Sequence, residues 1–209
     1  MREMVSMVVV LALICGLSAL VLATLKQATA NRIEEQVLTY VQGPALEQVL
    51  PGHDNDPIAQ RKKFRLPGRE LPVTVFPARK DGELVAVALE TMGKGYAGDI
   101  GVMVGFDMGD DTLTGIGITT MKETPGVGTA VAKHGFTGQF RDHPLQNLQL
   151  AANGGSIDAV SGATYSSQGA MEAVRKAADL YTTLQVALRE HFRQEQEQGG
   201  QVPVITLSP

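Results

Sequence analysis

The sequence predicts an α+β protein with a single N-terminal transmembrane helix, then an antiparallel meander closed by a long C-terminal amphipathic helix. Three observations carry this. From Met4 to Leu25 no residue is charged. From Val73 the apolar residues recur at period two between turn residues. From Gln168 to Phe192 the period becomes helical. The expected boundaries are residues 1–29 for the anchor, 30–72 for a stalk helix and connection, 73–192 for the folded domain, and 193–209 for a disordered tail.

A helix from Met4 to Leu25 is long enough to cross the roughly 30 Å hydrocarbon core of a bilayer. A cleaved signal peptide is the alternative, since Ala28-Thr29-Ala30 has the small-x-small form of a cleavage site. The apolar run is longer than the roughly 7–15 residues of a signal h-region, and Lys26 interrupts, so a retained anchor is preferred. Ile14 before Cys15 disfavours a lipid-modified cysteine. Arg2 on one flank and Lys26 and Arg32 on the other leave orientation undecided by charge.

Ile33, Val37 and Val41 continue at helical spacing into a stalk. Gly43-Pro44 breaks it, with Pro44 suited to a new helix start, and Pro51-Gly52 ends it. Residues 51–72 read as an irregular connection. Val73 and Val75 then alternate up to the hairpin signal Lys80-Asp81-Gly82-Glu83. Val85, Val87 and Leu89 follow, then the glycine-rich Gly93–Gly98. Ile100, Val102, Val104 and Phe106 alternate up to a second turn at Gly109-Asp110-Asp111. Ile116 and Ile118 continue, while Leu113 is out of register, which predicts a bulge at Gly115. Successive hairpins imply antiparallel pairing, not a parallel dinucleotide-binding sheet. Lys122–Gly128 is a loop by composition, Thr129–His134 a short helix and Gln146–Ala151 one more strand. In the last element Met171, Val174, Ala178, Tyr181, Leu184 and Leu188 share a helical face that packs on the sheet.

A formal net charge of −4 without basic blocks excludes a nucleic-acid partner. The one cysteine lies in the anchor, so the chain forms no disulfide and ligates no iron–sulfur cluster by itself. His53, His134, His143 and His191 lack metal-ligand spacing, and no metal site is expected.

The sharpest local signal is Asp158-Ala159-Val160-Ser161-Gly162-Ala163-Thr164-Tyr165-Ser166-Ser167, just before the long helix. Small residues leave its backbone open, and a helix N-terminus presents free N–H groups and partial positive charge, which suits a phosphate. A plain helix cap by Ser166 or Ser167 is the competing reading.

This segment resembles the flavinylation motif of the FMN-binding domain family, an Asp and two spacers before Ser/Thr-Gly-Ala-Thr. Gly95-Tyr96-Ala97-Gly98-Asp99-Ile100 and Glu123-Thr124-Pro125-Gly126-Val127-Gly128 resemble that family's two glycine loops, with Val127 for its usual Leu. The resemblance implies FMN joined through its phosphate to Thr164 by a dedicated flavin transferase using FAD. Asp158, Ser161, Gly162 and Ala163 complete the motif, the last two clearing space for the transferase. Tyr96, Gly98, Thr124, Pro125 and Gly126 are the implied contacts of the isoalloxazine ring, with no catalytic residue. The whole plan resembles the G subunits of Rnf/Rsx-type ion-translocating electron transport complexes. It implies an inner-membrane flavoprotein, its domain on the periplasmic side, carrying electrons among other membrane subunits in a ferredoxin/NAD-type oxidoreductase, and not a complete enzyme alone. The alternatives are the C subunit of the sodium-translocating NADH:quinone reductase, a stand-alone anchored flavin reductase, and a binding module without modification at Thr164.

Overall fold

The structure, a computed structural model, describes residues 2–66, 69, 71–198 and 205–206. Residues 1–40 form one compact unit and residues 41–209 another.

The first unit is dominated by helix α1 (Arg2–Gln36), whose Arg2–Thr29 stretch is long and apolar enough to cross a membrane. Its Leu, Val, Ile and Met side chains from Met4 to Leu25 are exposed. A surface so continuously apolar belongs in lipid. The hydroxyls of Thr24 and Thr29 fold back on their own helix, donating to the carbonyls of Leu20 at 3.0 Å and Leu25 at 2.9 Å. Neither hydroxyl is thereby left unpaired in an apolar medium.

A π-helical stretch, Val37–Gln42, precedes helix α2 (Gly43–Val49), which has Pro44 in its first turn as the sequence requires. The sheet comprises β1 (Lys62–Arg65), β2 (Val73–Lys80), β3 (Glu83–Lys94), β4 (Asp99–Asp107), β5 (Thr112–Thr120), β6 (His143–Pro144) and β7 (Ile205–Thr206). Its order is β6-β5-β4-β3-β2-β1-β7. Neighbours are antiparallel except β1 and β7, which run parallel. The β2–β3 turn has Asp81 at φ 52° and Gly82 at φ 83°, the primed geometry that matches strand twist. In β5, Leu113 pairs with Phe106 and Gly115 with Gly105, leaving Thr114 as the extra residue of the expected bulge.

The period-two pattern sorts side chains onto two faces. Val87 and Leu89 of β3 and Val102, Val104 and Phe106 of β4 join the core beneath the long C-terminal helix (Thr164–Gln198), here α4, with α3 the short turn His134–Thr137. Ala170, Val174, Ala177, Tyr181, Leu184 and Leu188 are the α4 side of that core. Tyr181 stacks on Phe106 with centroids 4.4 Å apart and planes 3° from parallel. Between those positions Gly105 and Gly117 face the other way, against Val49 and Ala45 of α2. Helices therefore cover both faces, α2 over β4 and β5 and α4 over β3 and β4. On the α2 side Glu90 accepts hydrogen bonds from Gln42 and, at 2.5 Å, from Thr119.

Four elements differ from expectation. The helix expected at Thr129–His134 is two separate turns, a 3-10 turn over Gly128–Ala132 and α3 over His134–Thr137, with Lys133 extended between them. β1 lies in the stretch read as irregular. Its Lys62, Lys63 and Arg65 hide the alternation, and Phe64 is its one wholly buried side chain. Gln146–Ala151 is not a strand. Asn147 turns left-handed at φ 59°, only Leu150 makes a bridge, with Ile157, and the sheet is extended instead by His143–Pro144. Finally, α4 runs to Gln198, past Phe192, and Ile205–Thr206 pairs with β1. The rest of that expected tail lies outside the described residues.

Candidate functional site

The site is built where α4 begins. Gly162 sits at φ 77°, a conformation costly to a residue with a Cβ, and reverses the chain so that Ala163 N–H reaches Val160 O at 3.0 Å. Ser167 N–H then closes the first helical bond on Ala163 O at 2.9 Å. Ser167 Oγ donates to Ala163 O at 2.9 Å and accepts Val160 N–H at 3.0 Å, tying the loop to the helix. Ser166 Oγ donates to Glu123 Oε2 at 2.7 Å. Both serines lie inside α4 and are buried, so the reading of either as the helix cap is corrected. The Ser166 hydroxyl serves a tertiary contact and that of Ser167 ties the helix to the preceding loop, while a helix start leaves its first amides without intrahelical acceptors.

Thr164, the first residue of α4, is exposed. It lines a cleft of about 210 Å³ with Gly162, Ala163, Tyr165 and Ser166 on one side and Tyr96, Glu123, Thr124, Val127 and Gly128 on the other. Tyr96 and Tyr165 form an open aromatic rim, 74% and 66% exposed, with centroids 6.1 Å apart and planes at 46°. Beneath them Glu123 is buried, 6% exposed, its Oε1 accepting Ala97 N–H at 3.1 Å. Larger hollows, of about 500 Å³ beside Arg189 and about 720 Å³ beside Lys176, include no residue of the three motifs.

The fold brings all three motifs to one place, though not every expected residue reaches the cleft. Thr164, Gly162, Ala163, Tyr96 and Thr124 line it; Asp158, Ser161, Gly98, Pro125 and Gly126 do not. Asp158 is exposed, its backbone held by Gln139 at 2.7 and 3.2 Å. Gly98 acts one step back, its carbonyl accepting Gly95 N–H at 2.9 Å to close the turn that carries Tyr96. Gly126, at φ 77°, shapes its loop from outside the cleft. Ala163 is buried, so the motif's smallness also serves packing. Sequence reasoning assigned no role to Glu123, Val127, Gly128, Tyr165 or Ser166 as flavin contacts. Their signal was position alone, inside or next to the motifs.

A cofactor fits this arrangement in a specific way. The cleft is smaller than the roughly 300–1,000 Å³ of sites that enclose a drug-sized ligand. It has room for part of a planar ring beside the two tyrosines, and the start of α4, where Thr164 stands, is of the kind that suits a phosphate.

Comparison with known proteins agrees. The model of the FMN-binding domain family matches residues 95–179, which span the cleft. The G subunit of the ion-translocating oxidoreductase complex of Pseudomonas aeruginosa is 33% identical over 90% of this chain and 94% of its own length. That of Methanosarcina acetivorans is 30% identical over 85% of this chain and 94% of its own. The crystal structure of Shewanella oneidensis NqrC shares the fold, with a TM-score of 0.50 and 21% identity over 66% of this chain and 75% of that one. Identity at this level along nearly the whole length decides the assignment, and the chain belongs to the family of G subunits of the ion-translocating oxidoreductase complex.

Proposed function

We propose that this protein is the membrane-anchored flavin electron carrier of an ion-translocating oxidoreductase complex, with FMN joined through its phosphate to Thr164. The observation that carries the residue assignment is the fate of the hydroxyls around the motif. Ser166 and Ser167 are buried and bonded within the fold. Ser161 is exposed but outside the cleft, whereas Thr164 is exposed and lines it. The attachment is a phosphoryl transfer from FAD, catalysed by a flavin transferase. Thr164 Oγ1 bonds the FMN phosphorus as the pyrophosphate linkage breaks, AMP leaves and the hydroxyl proton is lost. The helix amides favour the remaining negative charge of the diester. When bound, FMN supplies one- or two-electron redox chemistry. The chain's own residues hold it: Tyr96 and Tyr165 offer faces for the ring, and the Thr124 hydroxyl and loop amides offer hydrogen bonds. The partners are the other membrane subunits of the complex. The domain lies on the periplasmic side of the inner membrane, a placement that rests on family resemblance.

Coexpression with a flavin transferase, followed by intact-mass and peptide analysis, tests this. The Thr164 peptide gains the mass of FMN less one water, and Thr164→Val, which keeps the side-chain shape without the hydroxyl, gains nothing. Flavin mapped to Ser161 overturns the residue assignment. An unmodified chain despite a competent transferase and FAD overturns the attachment altogether. For orientation, external protease acting on spheroplasts digests the domain; its protection while a periplasmic control is cut refutes that placement.

A further inference from the structure

We propose that Glu123 is the positioning residue of the flavin cleft, its buried carboxylate holding the loop that carries Tyr96 and the helix turn that carries Thr164 in one fixed geometry. This rests on the attachment proposed for Thr164. Glu123 is one of the few buried polar side chains among the described residues and the one buried carboxylate there. Burial of such a group is costly unless its oxygens are hydrogen-bonded. Both are bonded, and to different segments. Oε1 accepts Ala97 N–H at 3.1 Å, beside Tyr96, and Oε2 accepts Ser166 Oγ–H at 2.7 Å, two residues after Thr164. A single carboxylate thus joins three stretches far apart in sequence: the β3–β4 loop, its own loop after β5, and the start of α4.

The surrounding glycines are shaped to this group. A Cβ on Gly128 would lie 2.7 Å from Glu123 Oε2 and 2.8 Å from Ser166 Oγ. A Cβ on Gly95 would collide with Glu123 Oε1. Gly95 and Gly128, one in each loop motif, therefore make room for the carboxylate. Thr164 has no comparable constraint of its own, being exposed at the first position of its helix. The bonds of Ala163 and Ser167 to Val160 fix its turn to the preceding loop, and the link from that turn to the Tyr96 loop runs from below, through Ser166 and Glu123.

The chemistry distinguishes geometry from charge. In Glu123→Gln the amide oxygen accepts Ala97 N–H, and the amide nitrogen donates to Ser166 Oγ, whose hydroxyl rotates to accept. Both links survive without the charge. In Glu123→Ala both are lost, and in Ser166→Ala one is lost from the far side.

The test compares these three full-length variants with the wild type, each coexpressed with a flavin transferase. Amide exchange across residues 95–98 is measured on unflavinylated protein, and FMN on Thr164 by mass under limiting transferase. Glu123→Ala is expected to exchange faster across 95–98 and to lose about tenfold or more in FMN loading, as a displaced acceptor group does. Glu123→Gln restores both to near wild type, and Ser166→Ala falls between. Wild-type loading in Glu123→Ala overturns the proposal, whether or not exchange has changed, because the role is then at most structural. A Glu123→Gln variant as impaired as Glu123→Ala also overturns it, since charge and not geometry would be at work. Should Glu123→Ala not fold, Ser166→Ala decides: reduced loading supports the proposal and unchanged loading refutes it. A wild type that takes no FMN refutes the Thr164 assignment itself, and this inference falls with it.

Discussion

Gly169→Ala sets helix propensity against packing, and the two predict opposite signs. Gly169 lies inside α4, where replacing Gly by Ala favours the helix by about 1 kcal/mol. Against this, a Cβ at Gly169 would meet Lys94 O at 2.7 Å and Gly95 N and Lys94 C at 2.8 Å. All three are backbone atoms, so no side chain can rotate away. Restoring contact from 2.7 to 3.4 Å requires the helix to retreat by about 0.7 Å. That move stretches the Thr91 Oγ1 bond to Ala173 O, now 2.6 Å, and makes the Lys176 side chain readjust to keep its 3.0 Å bond to Met92 O. Overpacking of this kind costs about 1–3 kcal/mol, and backbone on both sides puts this case in the upper part of that range. Net destabilisation of about 1–2 kcal/mol remains, a fall of roughly 2–8 °C in Tm for a domain this size. Near-ultraviolet circular dichroism in detergent follows the transition, because in a chain without Trp it reports the four tyrosines. Gly135→Ala, where nothing lies within 4 Å of the new Cβ, is the control and leaves Tm unchanged or slightly raised. A Gly169→Ala protein more stable than wild type would refute the close approach of α4 to the β3–β4 loop.

Other expectations concern single groups. Gly126→Val should destabilise by about 1–2 kcal/mol through its left-handed backbone; with nothing within 4 Å of its Cβ, flavin properties change only as far as the loop loosens, and a stability equal to wild type in denaturant melts would contradict φ 77° there. Tyr181→Phe keeps the stack on Phe106 but removes the hydroxyl that donates to Asp111 Oδ1 at 2.9 Å. It should cost about 1 kcal/mol, read from chemical unfolding. Burial, then the Asp111 carboxylate, push the Tyr181 hydroxyl well above its ordinary range, so no tyrosinate from it appears in an alkaline spectroscopic titration until the protein unfolds. The hydrogen bond from Lys176, then that from the Lys94 amide, hold the Glu172 carboxyl below its usual 4.5. A depressed folded-state value stabilises above the unfolded one and is lost as pH falls through the folded one. Glu172→Gln should therefore flatten the acid limb of the stability profile below about pH 4.5. The effect is small and salt-sensitive because the pair is exposed.

What was legible in the sequence was whatever repeats or punctuates. The uncharged run of α1, the alternation of β3 and β4, the Asp81-Gly82 turn and the bulge at Gly115 all leave local patterns. β1 did not, because its lysines are held by pairing with β2 and not by their own periodicity. The region 122–163 has little regular structure, so its order depends on individual bonds such as Gln139 to Asp158 that no period announces. The site divides in the same way. The places of Thr164 and Tyr96 in the cleft follow from motifs that name them. Glu123 had no assigned role because its partners, Ala97 and Ser166, lie 26 and 43 residues away. The position of Tyr165 beside Tyr96 was not legible because it depends on where the first turn of α4 points.

The shallowness of the cleft bears on how such a protein can change over evolutionary time. In most cofactor sites one set of contacts must both retain the group and tune it, so a substitution that alters the tuning risks losing the group. The tether proposed at Thr164 would separate the two tasks, since a covalently attached ring would stay at high local concentration whatever its fit. The cleft residues Tyr96, Val127 and Tyr165 would then be free to vary toward a different potential or a different neighbour without releasing the flavin.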